Sequence, residues 1–377
     1  MGYGLGIDLG SAFTAAAVNR GGAPRMLAIG ADGELMPSMV QILSDGSLSA
    51  GIDQPQDEQP QVPGHLFRRR LGDSTPMLIG ERSYTAVDLL AALLAAAVQQ
   101  STQAAGSPPD RVVVTCPAVW GPYRREQFAE VTRRAGLPRQ QVELLSEAEA
   151  VAAYHLREHP LPGPEPLAVY DCGGSTFDAT VIRPPGTGPA GAGVLGVPES
   201  LDWFGGVDVD EEIIRYLDES TDGSVTLLDP RRPDEAAALR GIRAACVRAK
   251  EELSVRSEVM IDAPQLRPIA LTRAQLEGWV RPQLAAGLPA LRRVLDAGVR
   301  VDDLSVVLLT GGMARMPLIG RMLTEDLGRP VALVKQPQHG VALGAALVAG
   351  QLTKDDRGLP RTGAGVPARL RRAGRRS

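Results

Sequence analysis

The sequence predicts an α/β protein of two lobes, each built on a mixed β-sheet flanked by helices, with a ligand cleft between them. Three observations predict it. Two glycine-rich turns, Gly6-Ile7-Asp8-Leu9-Gly10-Ser11 and Asp171-Cys172-Gly173-Gly174-Ser175-Thr176-Phe177-Asp178, each carry an acidic residue at the end of a strand-like run and lie about 160 residues apart. A third turn, Thr310-Gly311-Gly312-Met313-Ala314-Arg315, follows another apolar run. The chain has 377 residues, too many for one simple core, so two lobes are expected.

Residues 3–19 read as two strands joined by a tight turn, and 37–42 begin another extended segment. Residues 51–65, rich in Gln, Asp and Pro, read as a surface loop. A helix is expected from Thr85 to Gln103, with Thr85 as N-cap and Asp88 completing a capping box. Arg111 to Cys116 is a buried-type strand stopped by Pro117. Helices follow at Arg124 to Ala135 and Ser146 to Leu156. The Pro- and Gly-containing stretch 161–166 marks a lobe boundary. Beyond it, Leu167 to Asp171 and Phe177 to Ile182 repeat the arrangement of strand, Asp, glycine turn and strand seen at the start of the chain. A charged amphipathic helix spans 233–254, a core strand 304–309, and a helix begins at Met316. Val341 to Val348 is a helix of small residues suited to close packing. The expected division is lobe I over 1–165, with the 341–352 helix packing back on it, lobe II over 166–340, and a basic tail over 353–377 without apolar periodicity, read as disordered.

A glycine turn between strands lets backbone N–H groups converge on one point without interference from Cβ, and such nests bind phosphate oxygens. An Asp at the strand end sits beside phosphate only when a cation intervenes. Asp8 and Asp171 therefore read as holders of Mg²⁺ through its water shell, which that ion gives up reluctantly.

Bulk composition excludes several classes. Net charge is −4 and the isoelectric point about 5.7, so no specific nucleic-acid partner is expected. Cys116, Cys172 and Cys246 have no metal-ligand spacing and read as small buried residues. No basic segment precedes an apolar run at the N-terminus, and the apolar stretch 86–98 is too short to span a bilayer. The expected location is the cytoplasm. Lysine occurs only at 250, 335 and 354.

These motifs resemble, in order, those of the actin-like ATPase superfamily, and most closely the nucleotide-binding domain of the Hsp70 chaperones. The resemblance runs through both phosphate-type turns, Val114-Thr115-Cys116-Pro117-Ala118, the helix from Glu147 to Ala153, Phe204-Gly205-Gly206-Val207-Asp208-Val209-Asp210, Arg248-Ala249-Lys250-Glu251-Glu252-Leu253-Ser254 and Leu309 to Pro317. It covers roughly residues 3–350. It implies ATP or ADP with Mg²⁺ as ligands, and admits K⁺. It implies that Gly10, Ser11, Ala12 and Phe13 wrap the β- and γ-phosphates from one lobe, and Gly173, Gly174 and Ser175 from the other. Thr176 would lie beside the γ-phosphate, and Glu147 and Asp178 would orient or deprotonate the attacking water. Gly205, Gly206, Lys250, Ser254, Gly311, Gly312, Met313 and Arg315 would frame the nucleoside. Pro117 would lie on the route from the site to the lobe surface.

The sequence also departs from the family. Arg68 stands where the family carries a lysine near the γ-phosphate, and the two cations are not equivalent at a tight site. Val207, Val247, Met313 and Gln338 alter the surroundings of the nucleoside. No client-binding domain follows in this sequence. Its partner is expected to be an unidentified protein or a missing C-terminal domain, and the basic tail could touch acidic surfaces. The expected function is a slow Mg²⁺-dependent ATPase that turns nucleotide state into lobe opening and closing. The alternative is a non-hydrolysing sensor or scaffold of the same fold. A sugar-kinase-type relative and a filament former rank below both.

Overall fold

The computed structural model describes residues 2–31, 33–51, 60–161, 163, 165–184, 193–296 and 299–356. Two mixed sheets organise it. In the first, β1 (Gly4–Leu9) pairs antiparallel with β2 (Phe13–Asn19), which also holds β3 (Arg25–Met26) and β4 (Leu35–Pro37). On its other side β1 pairs parallel with β5 (Arg111–Cys116), and β5 with β6 (Val142–Ser146). The second sheet repeats this plan. β7 (Leu167–Cys172) pairs antiparallel with β8 (Phe177–Arg183), which holds β9 (Gly193–Leu201), and parallel with β10 (Val306–Thr310), which holds β11 (Ala332–Leu333). The alternation expected at both turns is thus present as two hairpins, each with a parallel strand alongside.

Helices flank both sheets: α1 (Gly64–Arg68), α2 (Ala86–Ala105), α3 (Pro122–Arg134), α4 (Glu147–Glu158), α5 (Gly206–Ser220), α6 (Pro233–Glu252), α7 (Arg273–Asp296), α8 (Pro317–Leu327) and α9 (Gly340–Asp356). The Thr85–Asp88 capping box at α2 is formed as expected, and α2 stops at Gly106 in the left-handed conformation (φ 77°). A second capping box starts α4. Ser146 Oγ accepts the Glu149 N–H, and the Glu149 carboxylate accepts from Ser146 N and Oγ. Glu149 thus serves as the capping carboxylate of α4.

Three sequence expectations need correction. Residues 61–65 are not loop: Gln61–Pro63 pairs with Met39–Ile42 and runs directly into α1. The expected tail from 353 starts too early, because α9 continues to Asp356, with Thr353 buried and its hydroxyl donating to Ala349 O at 3.0 Å. The rest of the tail, 357–377, lies outside the described residues, as do 52–59 and two positions of the 161–166 stretch. The helix expected over 233–254 ends at Glu252, two residues short of Ser254.

Each sheet has its own apolar core, and a third core lies between them. Ala15, Ala17 and Val113 of the first sheet and Leu167, Val169 and Leu308 of the second meet there, filled in by α4 and α9. Glycine makes this packing possible. A Cβ on Gly6 of β1 would lie 2.1 Å from Ala346 N of α9, and one on Gly344 of α9 only 1.8 Å from Ala150 O of α4. Cys116, Cys172 and Cys246 are buried free thiols. Among the described residues no helix is long and apolar enough to cross a membrane.

Candidate functional site

The parallel strands β1 and β5, and β7 and β10, aim their C-terminal ends at the same region, so both hairpin turns arrive there. The turns touch. Ser175 Oγ lies 2.7 Å from Ser11 Oγ, and a Cβ on Gly174 would meet the Ala12 Cβ at 2.5 Å. Within the second turn Gly173 N–H donates to Thr176 O at 2.9 Å. The turn is braced from behind by the start of α5, where Gly206 N–H and Val207 N–H donate to Gly173 O and Gly174 O at 3.1 and 2.8 Å. Gly205 packs so close that its Cβ would lie 2.5 Å from Ser175 N, and its N–H is taken by Asp208 Oδ2 at 2.8 Å. Gly311, with φ 87°, fills the equivalent place after β10, where a Cβ would sit 2.4 Å from Asp171 Oδ1.

Four carboxylates and one guanidinium gather beside the turns. Asp8 ends β1; Asp171 and Asp178 face each other directly across β7 and β8; Glu147 opens α4. Arg68, from the last turn of α1, is buried, ion-paired with Glu147, and stacked over the Trp120 ring at 5.5 Å. Burial opposes the Arg68 charge, but Glu147, Asp8 and Asp178 together raise its pKa. The carboxyl pKa values rise too, which for an acid favours the neutral form. Burial pushes Asp8 up to about 6 against the pull of Arg68. Burial and the Glu147 carboxylate push Asp178 up to about 6. Burial, then Glu147, Asp178 and Asp8, raise Asp171 well above the usual carboxylate range. Glu147 is raised by burial as well. One arginine does not balance this cluster, which is the electrostatic signature of a place where a cation belongs.

The residues present fit Mg²⁺ held through water. All donors are hard oxygens, and Asp178 Oδ1 is buried with no hydrogen-bond partner among the described residues. Among those residues no three His, Cys, Asp or Glu side chains converge closely enough to ligate a metal directly. Thr176 Oγ1 donates to Asp178 Oδ2 at 2.9 Å, so its hydroxyl is oriented by the carboxylate expected to work beside it.

The residues expected to frame a nucleoside are only partly brought together. Lys250 Nζ donates to Gly206 O and Asp210 Oδ2, both at 2.9 Å, so its charge is already partnered. The buried Met313 side chain lies 3.5 Å from where a Gly206 Cβ would be. Gly312 and Arg315 are exposed, and among the described residues Ser254 is tied only to its own turn, its N–H donating to Glu251 O at 3.1 Å. Phe13 is likewise 46% exposed, its backbone rather than its ring belonging to the turn.

Sequence reading missed three participants. Arg69 reaches from the end of α1 to the other hairpin, donating from Nη2 to Ser175 O at 2.6 Å. Its only signal was adjacency to Arg68. Asp210 lies in the quoted Gly-Gly motif, but nothing local pairs it with a lysine 40 residues away. Trp120 carried no signal. Beyond the turns Arg69 and Trp120 border a pocket of about 110 Å³, which Pro117 also lines.

A family model described as Hsp70 protein matches residues 53–359, starting after the first turn. Among curated proteins, the chain is 31% identical over 370 residues to the chaperone protein DnaK of Methanothermobacter thermautotrophicus, covering 92% of this chain and 59% of that protein. It is 29% identical over 374 residues to the chaperone protein DnaK of Cenarchaeum symbiosum, covering 93% of this chain and 54% of that protein. The chain thus spans little more than half the length of these relatives.

Proposed function

The chain belongs to the Hsp70 family, and from that premise we propose that it binds ATP with Mg²⁺ between two lobes, hydrolyses it slowly, and passes the resulting lobe position to a protein partner in the cytoplasm. Lobe I is residues 1–165 with α9 packed back on it, and lobe II is 166–340. The observation that carries the reading is the meeting of two glycine turns, Ser11 against Ser175 at 2.7 Å, beside four carboxylates and a single guanidinium.

In this reading the backbone N–H groups of Ser11, Ala12 and Phe13, and of Gly174 and Ser175, hold the terminal phosphates, while Gly173 closes the second turn through its bond to Thr176 O. When bound, Mg²⁺ supplies the positive charge that the phosphates and carboxylates lack, with Asp8 and Asp171 holding its waters. Glu147 and Asp178 orient a water behind the γ-phosphorus. The water oxygen bonds to that phosphorus as the bond to the β–γ bridging oxygen breaks. The electron pair leaves with ADP, and the water's proton passes toward these carboxylates. Such chemistry is mostly positioning and charge management. The nucleoside is held by Gly205, Gly206, Lys250, Gly311, Gly312, Met313 and Arg315, with Ser254 at the edge.

Calorimetry with ATP and Mg²⁺ tests the clamp. Asp8→Ala and Asp171→Ala each weaken binding at least ten-fold; unchanged affinity in both would sink it. Single-turnover hydrolysis tests the chemistry: Mg²⁺-dependent cleavage is expected, lost in Glu147→Gln and in Thr176→Ala. A second reading, a nucleotide sensor that does not hydrolyse, is favoured by the buried pair of Arg68 with Glu147, which occupies the carboxylate needed for the water. Tight Mg²⁺-dependent binding without turnover would select it.

A further inference from the structure

We propose that the pocket beyond the two turns is a second oxyanion site, through which orthophosphate leaves after cleavage. The exit role rests on the ATPase reading, whereas the site's preference for a phosphate-class anion does not. The pocket, about 110 Å³, is lined by Arg68, Arg69, Arg124, Trp120, Ser200 and Asp202, and by the serine and threonine side of the turns. Three guanidiniums face one carboxylate there. Arg68 is committed to Glu147. Arg69 gives one nitrogen to Ser175 O, but its Nε is buried with no partner among the described residues. Arg124, exposed, forms no ion pair among them. A buried donor left over calls for a ligand or water to take it, and guanidinium forks match phosphate oxygens.

The wall is rigid, as a built site requires. Trp120 N–H donates to Pro117 O at 3.1 Å, Arg125 Nε donates to Trp120 O at 2.9 Å, and the indole packs edge-on against Phe128 at 5.2 Å. Arg69 and Arg124 line the pocket, whereas Asp8, Asp171, Asp178 and Glu147 stand outside its lining. A phosphate freed beside the carboxylates is repelled by them and drawn to the arginines.

Titrating the nucleotide-free full chain with inorganic phosphate in Mg²⁺-free buffer, by calorimetry, tests the site without requiring catalysis. Saturable binding is expected, at least ten-fold weaker in Arg124→Glu and in Arg69→Gln, and no weaker in Asp8→Ala. Arg124 is exposed and bonded to nothing described, so its variant should fold. Absence of saturable binding, equal affinity in wild type and both arginine variants, or loss in Asp8→Ala alone would overturn the site. The exit role is read from single turnovers followed both by acid quench and by a fluorescent phosphate sensor. Arg124→Glu lowers the ratio of release rate to cleavage rate severalfold, and an unchanged ratio overturns that role. If no cleavage is seen in any protein, the ATPase reading and the exit role fail together, and the phosphate titration alone decides the anion site.

Discussion

At Arg68 one guanidinium faces Glu147, Asp8 and Asp178, with only 9% of its side chain exposed. Removing one partner of a buried pair costs about 3–5 kcal/mol because the other charge is left uncompensated. The two partners are not symmetrical here, since the carboxylates outnumber the cation. Arg68→Met leaves several carboxylates without a counter-charge, while Glu147→Gln relieves an overloaded cluster and keeps an acceptor for the guanidinium. In nucleotide-free, metal-free protein, Arg68→Met is therefore expected to lower stability by about 3 kcal/mol or more, and Glu147→Gln by clearly less. Urea midpoints at unchanged m-value measure this; equal losses would contradict the imbalance. At this scale glycine turns and strand ends marked Asp8 and Asp171, and the family resemblance pointed to Asp178 and Glu147. The sequence hid those whose partners are remote, because no local pattern joins Arg69 to Ser175 or Lys250 to Asp210.

The elements were readable where their end signals are local. Thr85 and Ser146 cap α2 and α4 with their own third residues, and such boxes are visible within four letters. Ser146→Ala removes the cap that holds Glu147 at the first position of α4, and is expected to cost about 1 kcal/mol, read as a lowered denaturation midpoint. Two elements were unreadable for definite reasons. α7 carries Pro282 and Pro289 inside it, and proline normally argues against a helix. The strand Gln61–Pro63 is three residues long, too short to show alternation. Packing between elements depends on glycines whose role only the fold reveals. Gly6→Ala would drive a methyl into Ala346 N of α9, and overpacking of this kind costs about 1–3 kcal/mol or more. By contrast Gly278, in α7 with nothing within 4 Å of its Cβ position, should gain up to about 1 kcal/mol on replacement by alanine. Thermal unfolding of both variants checks the pair, and a loss at Gly278 matching that at Gly6 would remove close packing as the cause.

The molecule joins its two sheets in two unlike ways. At one end they share an apolar core in which Val169 and Leu308 of the second sheet meet Ala15 and Ala17 of the first through α4 and α9. At the other they touch through a polar seam of Ser11 to Ser175 and Arg69 to Ser175 O. Deleting a buried leucine costs about 2–5 kcal/mol, whereas a single hydrogen bond from a charged group is worth about 1.5–3 kcal/mol net. The seam should therefore part while the shared core holds, making α4 and α9 the hinge of the proposed lobe motion. Spin labels on the exposed Leu66 position of α1, the helix that precedes Arg69, and the exposed Trp203 position, just before the Gly205 that packs on Ser175, report its opening. Arg69→Gln is expected to raise the population of longer label separations about ten-fold, and ATP with Mg²⁺ to narrow the distribution toward the short one. Leu308→Ala should lower overall stability by about 2–5 kcal/mol yet leave the separations as in wild type, because the core it weakens is intact in both open and closed forms. If Leu308→Ala spreads the separations as Arg69→Gln does, seam and core open as one unit and the hinge is misplaced. If neither Arg69→Gln nor nucleotide changes them, the seam is static and nucleotide state cannot be carried by lobe position.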